Sequence, residues 1–340
     1  MPASSPIPHP HNPTQKTGIL ITNVGTPDGT DYKSVRRYLA QFLKDPRIIE
    51  WPKWLWYPIL YGIILNRRPQ RSGENYARIW NHEANEAPLR SYTRQQAEKL
   101  NNLLQEYNVI VDWGMRYGQP SIAKAAKNLI DQGCTHILLF PLFPQYCAST
   151  TASTYDAFFR FLTTQRYIPS IQTISSYATD PIYIKTLCDT LIKQLKELSF
   201  QPTHIITSFH GIPQAYSDKG DPYYQECKQT FEAIKNYMEN FKIEWRLAFQ
   251  SRFGPSEWIK PYLSDEVKML AKQGVTSIAV INPGFSSDCL ETVDEIGREI
   301  KEEFLEHGGK NFAHIPCLNA SDEAIALYAH IIKKTLNYTN

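Results

Sequence analysis

The chain lacks most of the motifs that assign a protein quickly. It has six cysteines, Cys134, Cys147, Cys188, Cys227, Cys289 and Cys317, and no two are spaced as CxxC. That excludes zinc-ribbon and thioredoxin-like motifs. Several of them lie in apolar runs, which suits a reducing, cytoplasmic compartment. No GxGxxG or Walker A loop follows an apolar run, and there is no GxSxG. These absences argue against dinucleotide chemistry, nucleotide chemistry and a serine nucleophile elbow. With a net charge of +2 and no long Lys/Arg run, nothing points to nucleic acid as a partner. No run of eighteen or more apolar residues exists, so no transmembrane helix is expected. Residues 1–16 are Pro-rich and have no apolar signal-peptide core, and we read them as a disordered tail.

What is present is an alternation. Apolar runs at 18–24, 109–113, 136–140, 204–207, 246–249 and 277–281 read as strands. Amphipathic stretches at 121–131, 181–198, 223–241 and 265–273 read as helices between them, which gives parallel βαβ units. Three short segments also recur in the same order. Ile21-Thr22-Asn23-Val24-Gly25 resembles Ile206-Thr207-Ser208-Phe209-His210-Gly211 with one residue inserted. Arg116-Tyr117-Gly118-Gln119-Pro120-Ser121 resembles Arg252-Phe253-Gly254-Pro255-Ser256, and the turn at 132–137 resembles that at 273–278. The expected fold is therefore α/β, with two Rossmann-like domains related by internal duplication and a cleft between them. The first domain is expected over 17–170, the second over 171–317. The final helix, 321–336, could pack on either. A segment at about 45–80 has no counterpart in the second half.

Candidate chemistry gathers at strand ends, where open α/β sheets bind ligands. His210 closely follows the run at 204–207 and stands before Gly211. A histidine there is either a packed structural residue or a base or metal ligand active near neutral pH. After the run at 277–281 come Asp288, Glu291, Glu295 and Glu299, whose steps of three and four place them on one helical face. Such a stripe is either a solvated face or a path for a divalent cation, and a histidine opposite a carboxylate suits a first-row metal such as iron. Arg116 and Tyr117 end another strand, and Arg116 could hold a carboxylate. Ser149-Thr150-Thr151 reads as a helix N-cap. Asp221-Pro222 reads as a helix start.

Taken together, GILITNVGTPD, SVRRYLAQFLKDPRIIE, MRYGQPSI, PLFPQYCASTT, SFHGIP with KGDPYYQEC, FQSRFGPSEWIKPYL and NPGFSSDCLETVDEI resemble the ferrochelatase family from Gly18 to about Asn319. The resemblance implies a porphyrin cleft between the two domains and a chain end that packs back on the first domain, at 318–340. It implies that His210 is the catalytic histidine and Glu291 its acidic partner, both at the metal. Asp288 and Glu295 become candidate proton or iron relays. Arg68, Tyr76, Arg116 and Tyr117 become porphyrin-binding residues. The implied reaction is insertion of Fe2+ into protoporphyrin IX, with Fe2+ as substrate and no tightly bound cofactor. Coproporphyrin III is the alternative substrate, and a non-catalytic tetrapyrrole carrier or a solute-binding module the alternative roles. Val24, Cys289 and Ala87 depart from residues common in the family, a tyrosine, a histidine and a serine. The insertion carries Trp51, Trp54 and Trp56 ahead of Arg67-Arg68. Such a segment fits a lip resting on an inner-membrane surface, because tryptophan favours the interface and arginines reach headgroups. The oligomeric state is not fixed by these features, and a monomer is compatible with them.

Some members of the family carry an iron–sulfur cluster on several C-terminal cysteines. Here only Cys317 lies beyond Cys289, and a four-thiolate cluster needs four. Protein purified anaerobically is expected to show no dithionite-bleachable visible bands. Such bands together with stoichiometric inorganic sulfide would overturn this.

Overall fold

The computed structural model describes residues 16–338; the tail expected at 1–16 lies almost wholly outside them. Among the described residues, eight strands form two four-stranded sheets, all parallel. They are β1 (Thr17–Gly25), β2 (Val109–Tyr117), β3 (His136–Pro141), β4 (Ser170–Thr173), β5 (His204–His210), β6 (Glu244–Gln250), β7 (Ser277–Ile281) and β8 (Asn311–His314). Helices cover the sheets, so the central strands are buried on both faces and read as unbroken apolar runs. Ile19, Leu20 and Ile21 of β1 and Ile205 and Ile206 of β5 are fully buried.

The sheet orders are β2-β1-β3-β4 and β6-β5-β7-β8, the same topology twice. The repeat can be placed residue by residue. Met115 N donates to Pro120 O at 2.7 Å, and Phe249 N donates to Pro261 O at 2.8 Å. Met115 pairs with Asn23 and Phe249 with Phe209. Val24 therefore stands in the first half where His210 stands in the second, with Gly25 matching Gly211. The proline that matches Pro120 is Pro261, and the match to Pro255 drawn from sequence is corrected. Gly25 is obligatory: its φ is 107°, and a Cβ there would sit 1.8 Å from Tyr117 O.

Two further expectations are corrected. Ser170–Thr173 pairs with β3 as the edge of the first sheet, so a division at 170 falls inside that sheet. Ser149, Thr150 and Thr151 do not cap a helix with their side chains. They lie within a short π-helix, Ala148–Ala152, whose first N–H, from Ala148, donates to Asp221 Oδ2 at 2.8 Å.

That bond is one of several that set the carboxyl edges of the two sheets face to face. The loop after β3 is gripped by the helix Tyr223–Tyr237 of the second half. Tyr146 N donates to Glu226 Oε2 at 2.7 Å, and Gln145 Nε2 donates to Thr230 Oγ1 at 2.9 Å. The last helix, Asp322–Leu336, lies on the first half. Lys99 pairs with Asp322 at 2.8 Å, Gln172 Nε2 donates to Thr335 O at 2.9 Å, and Tyr328 packs edge-on to Phe140.

After a stretch of turns at 45–52 the insertion is helical: Lys53–Ile59, a π-turn at Leu60–Ile64, then Leu65–Ile79. It is core on one face and exposed on the other. Trp56, Leu60, Leu65 and Tyr76 pack with Val35, Tyr38 and Leu39, and the Trp56 indole donates to Leu43 O at 2.7 Å. Trp51, Trp54 and Ile63 face outward, 56%, 79% and 54% exposed. The sequence run is thus one lip with two kinds of tryptophan. Among the described residues, no helix is long and apolar enough to cross a membrane.

Candidate active site

In a sheet of this order the ligand crevice lies beyond the carboxyl ends, where successive connections leave in opposite directions. In the second half that point is between β5, which ends in His210, and β7, which runs on to Glu291. His210 Nδ1 lies 2.6 Å from Gly211 O. A carbonyl only accepts, so Nδ1 carries the proton in the neutral ring and Nε2 keeps its lone pair. The histidine is held as a base or ligand through Nε2. The Trp258 ring lies beside it at 6.4 Å, and its indole N–H is buried without a partner.

The acidic segment is a π-helix, Glu291–Ile300. Its i→i+5 bonding makes a wider turn than the 3.6 residues of an α-helix. Glu291 and Glu295, four apart, therefore stay close to one face. Ser251 holds Glu295 with its backbone N–H, at 2.7 Å, and its hydroxyl, at 2.5 Å. To do so Ser251 adopts φ 63°, the left-handed region that non-glycine residues seldom enter. Burial pushes the Glu295 carboxyl up; the Ser251 hydroxyl and His210 draw it down, and Glu291 pushes it up again.

Across the cleft are residues of the lip and the first half. The Tyr76 ring lies edge-on to Tyr38 at 6.2 Å, and Tyr38 Oη donates to Gly25 O at 3.2 Å. Burial raises both hydroxyls, and the Glu291 charge pushes each further up. Burial draws the Arg68 guanidinium down, while Tyr38, Tyr76 and Glu291 oppose that. Its guanidinium lies 5.0 Å from the centre of the Phe253 ring on the opposite lobe. Below it Arg78 reaches over to Asp294 of the π-helix at 2.9 Å.

The structure thus brings together His210, Glu291, Glu295, Arg68 and Tyr76. It places three other expected residues differently. Asp288 precedes the π-helix and is buried. Its carboxylate accepts from Thr292 Oγ1 at 2.9 Å, Asn319 Nδ2 at 2.7 Å and Cys317 N at 3.3 Å. With both oxygens engaged it fastens the chain end to the helix entry, and it shares no face with Glu295. Arg116 does hold a carboxylate, but it is that of Asp45 in the same chain, and Nε also donates to Ser153 Oγ at 2.6 Å. Tyr117 is fully buried with its hydroxyl on Asp45 at 2.7 Å. Burial pushes the Asp45 carboxyl up, but the Ser153 hydroxyl and the Arg116 guanidinium outweigh it and hold it low. These residues brace the lip's root rather than line the cleft. Tyr38, Gln250, Ser251 and Trp258 belong to the site. Gln250 and Ser251 are marked in the sequence only by lying at a strand end, and Tyr38, inside the helix Tyr32–Phe42, and Trp258 by nothing local. Among the described residues, no three His, Cys, Asp or Glu side chains form a closed metal cage.

Two α/β lobes of equal topology, with a histidine and carboxylates facing each other in the cleft, define the chelatase class. Solved chelatase structures share the fold. The chain aligns with SirB from Bacillus subtilis, solved with Fe3+, at TM-score 0.54 and 13% identity, covering 95% of this chain and 97% of that one. It aligns with CbiX, described as the terminal enzyme for siroheme biosynthesis in denitrifying bacteria, at TM-score 0.52 and 11% identity, covering 94% and 99%. The ferrochelatase family model matches residues 16–336. Ferrochelatases of Brucella ovis and Brucella abortus are each 56% identical over 322 residues, 94% of this chain and 92% of theirs. The chain belongs to the ferrochelatase family, and it is an enzyme that inserts metal into a porphyrin in haem biosynthesis.

The raised Glu295 carboxyl fixes a sign. Its folded pKa lies above the ordinary 4.5, so the stability it contributes is full below that value and is lost as pH rises through the folded one. Glu295→Gln removes the cost of ionising a buried acid, and its amide can still accept from Ser251 N. We expect a higher urea midpoint than the parent at pH 8 and a smaller gain at pH 5. A variant less stable than the parent at pH 8 would contradict the burial argument.

Proposed function

We propose that the enzyme inserts Fe2+ into protoporphyrin IX while resting on the inner membrane from its cytoplasmic side, with the lip against the lipid. The observation that carries the reading is the free Nε2 of His210 opposite Glu291, beneath an apolar lip. Two pyrrole protons must leave as the metal enters. His210 receives one through Nε2, the only ring nitrogen with a lone pair. His210 and Glu291 first hold the iron as an open two-ligand site, and once the metal has passed to the ring nitrogens the Nε2 lone pair and the Glu291 carboxylate are free to take one proton each. Glu295, held by Ser251, relays a proton away from the cleft. A bent ring exposes its nitrogen lone pairs, and remote binding energy supports that distortion. In this reading Arg68 and Tyr76 contact the macrocycle. Arg116 and Tyr117, bound to Asp45, act on it only by bracing the lip. The apolar lip, and valine at position 24, favour protoporphyrin over the more highly charged coproporphyrin III. No tightly bound cofactor takes part, and iron is the substrate.

Anaerobic turnover with Fe2+ and each porphyrin tests this reading. Protoporphyrin should be the better substrate, and His210→Ala should lose about a hundredfold or more of turnover while still binding porphyrin. Near-normal turnover by that variant would sink the assignment, and faster coproporphyrin turnover would reverse the substrate.

The lip has its own test. Trp56 is core and must stay, so the variant is Trp54→Ser with Ile63→Ser, both on the outer face. The parent should float with anionic vesicles and be released by salt. The variant should remain in solution with its fold intact. Unchanged flotation would show that the lip is not the anchor.

A further inference from the structure

Gln250 ends β6 and is His210's register partner on the neighbouring strand. It is 3% exposed, and every polar atom of its side chain is used. Oε1 accepts from Ser208 Oγ at 2.7 Å and from Asn282 Nδ2 at 2.8 Å. Nε2 donates to Glu291 O at 2.7 Å and lies 3.5 Å from Glu295 Oε2. Asn282 Nδ2 also donates to Ser208 O at 3.3 Å.

The polarity of this chain of amides is forced from both ends. Ser208 O is a backbone carbonyl and only accepts, so the NH2 of Asn282 must face it. Gln250 must then turn its oxygen to Asn282, and its own NH2 to Glu291 O, a second carbonyl that only accepts. Flipping either amide would set oxygen against oxygen in a buried site, where an unmade bond is costly. The link therefore runs in one sense from the strand of His210, through the ends of β7 and β6, to the first residue of the π-helix.

We propose that Gln250 is a positioning residue for metal insertion: its carboxamide fixes the first turn of the acidic π-helix, and with it Glu291 and Glu295, relative to His210. It acts through those residues and touches neither metal nor porphyrin. The inference rests on the reading of His210 and Glu291 as the reacting pair. A small displacement of reacting groups suffices for a large loss, since about 1 Å can cost a hundredfold.

Gln250→Met keeps the volume and removes both the donor and the acceptor. We expect its kcat to fall about ten- to a hundredfold, with the porphyrin Kd from fluorescence quenching within about twofold of the parent. Gln250→Glu should lose more, because it turns an oxygen toward Glu291 O and the Glu295 carboxylate. In a Glu295→Gln background the further loss from Gln250→Met should shrink. Should the position-250 variants fail to fold, Ser208→Ala removes one bond to Oε1 and little else; it should lower kcat by about fivefold with Kd unchanged. A folded Gln250→Met enzyme with kcat within about twofold of the parent would overturn the proposal. So would a loss of porphyrin affinity in proportion to kcat, or an unchanged kcat in Ser208→Ala. If instead His210→Ala turns over normally, it is the reading of the reacting pair that has failed, and the two failures are told apart.

Discussion

All strands of a parallel sheet end on the same edge, and that constraint governs this molecule. Helices must cover both faces, so the carboxyl edge is where loops stay free to carry chemistry. Two such edges confront each other here. Asp221, Glu226 and Thr230 grip the loop after β3, and Asn23 at the end of β1 donates to Ser286 beyond β7. Every residue of the reacting group comes from a strand end, from the helix that follows one, or from the lip laid across the gap.

Duplication gave the two edges the same geometry but not the same content. Val24 and His210 occupy matching places beside matching glycines, so one half presents an apolar side chain where the other presents a nitrogen base. The inserted lip deepens that asymmetry. It supplies Arg68 and Tyr76 to the first half, and its root is held by the buried Asp45–Arg116–Tyr117–Ser153 group.

How much of this could be read from sequence follows from how each feature is encoded. Six strands were legible as apolar runs. β4 and β8 were not, because Ser170–Thr173 and Asn311–His314 are four-residue edge strands with little apolar content. The missing β4 is what misplaced the division at 170. His210, Glu291 and Glu295 could be singled out as candidates because they lie at a strand end or on the helix that follows one, while their roles came only from the family resemblance. Asp288 fitted the same spacing, but the helix begins after it, and its partners Cys317 and Asn319 are some thirty residues away. The role of Arg116 depended on Asp45, which no local pattern announces. Gln250 is one polar residue at a strand end, and its meaning appears only when four other residues are placed around it.

The helix Leu65–Ile79 crosses the cleft pinned near both ends, but unequally. Arg68 and Arg78 stand about 15 Å apart along its axis. At one end a guanidinium rests on the exposed ring of Phe253, a contact worth about 0.5–1 kcal/mol. At the other, Arg78 shares the nearly buried carboxylate of Asp294 with Arg298, a charge-assisted arrangement roughly twice as strong as a neutral hydrogen bond. The helix is therefore held more firmly where it meets the acidic π-helix of the second half, at Arg78, than where it meets the loop after β6, at Arg68, so its two ends couple the lip to the second half with different strengths.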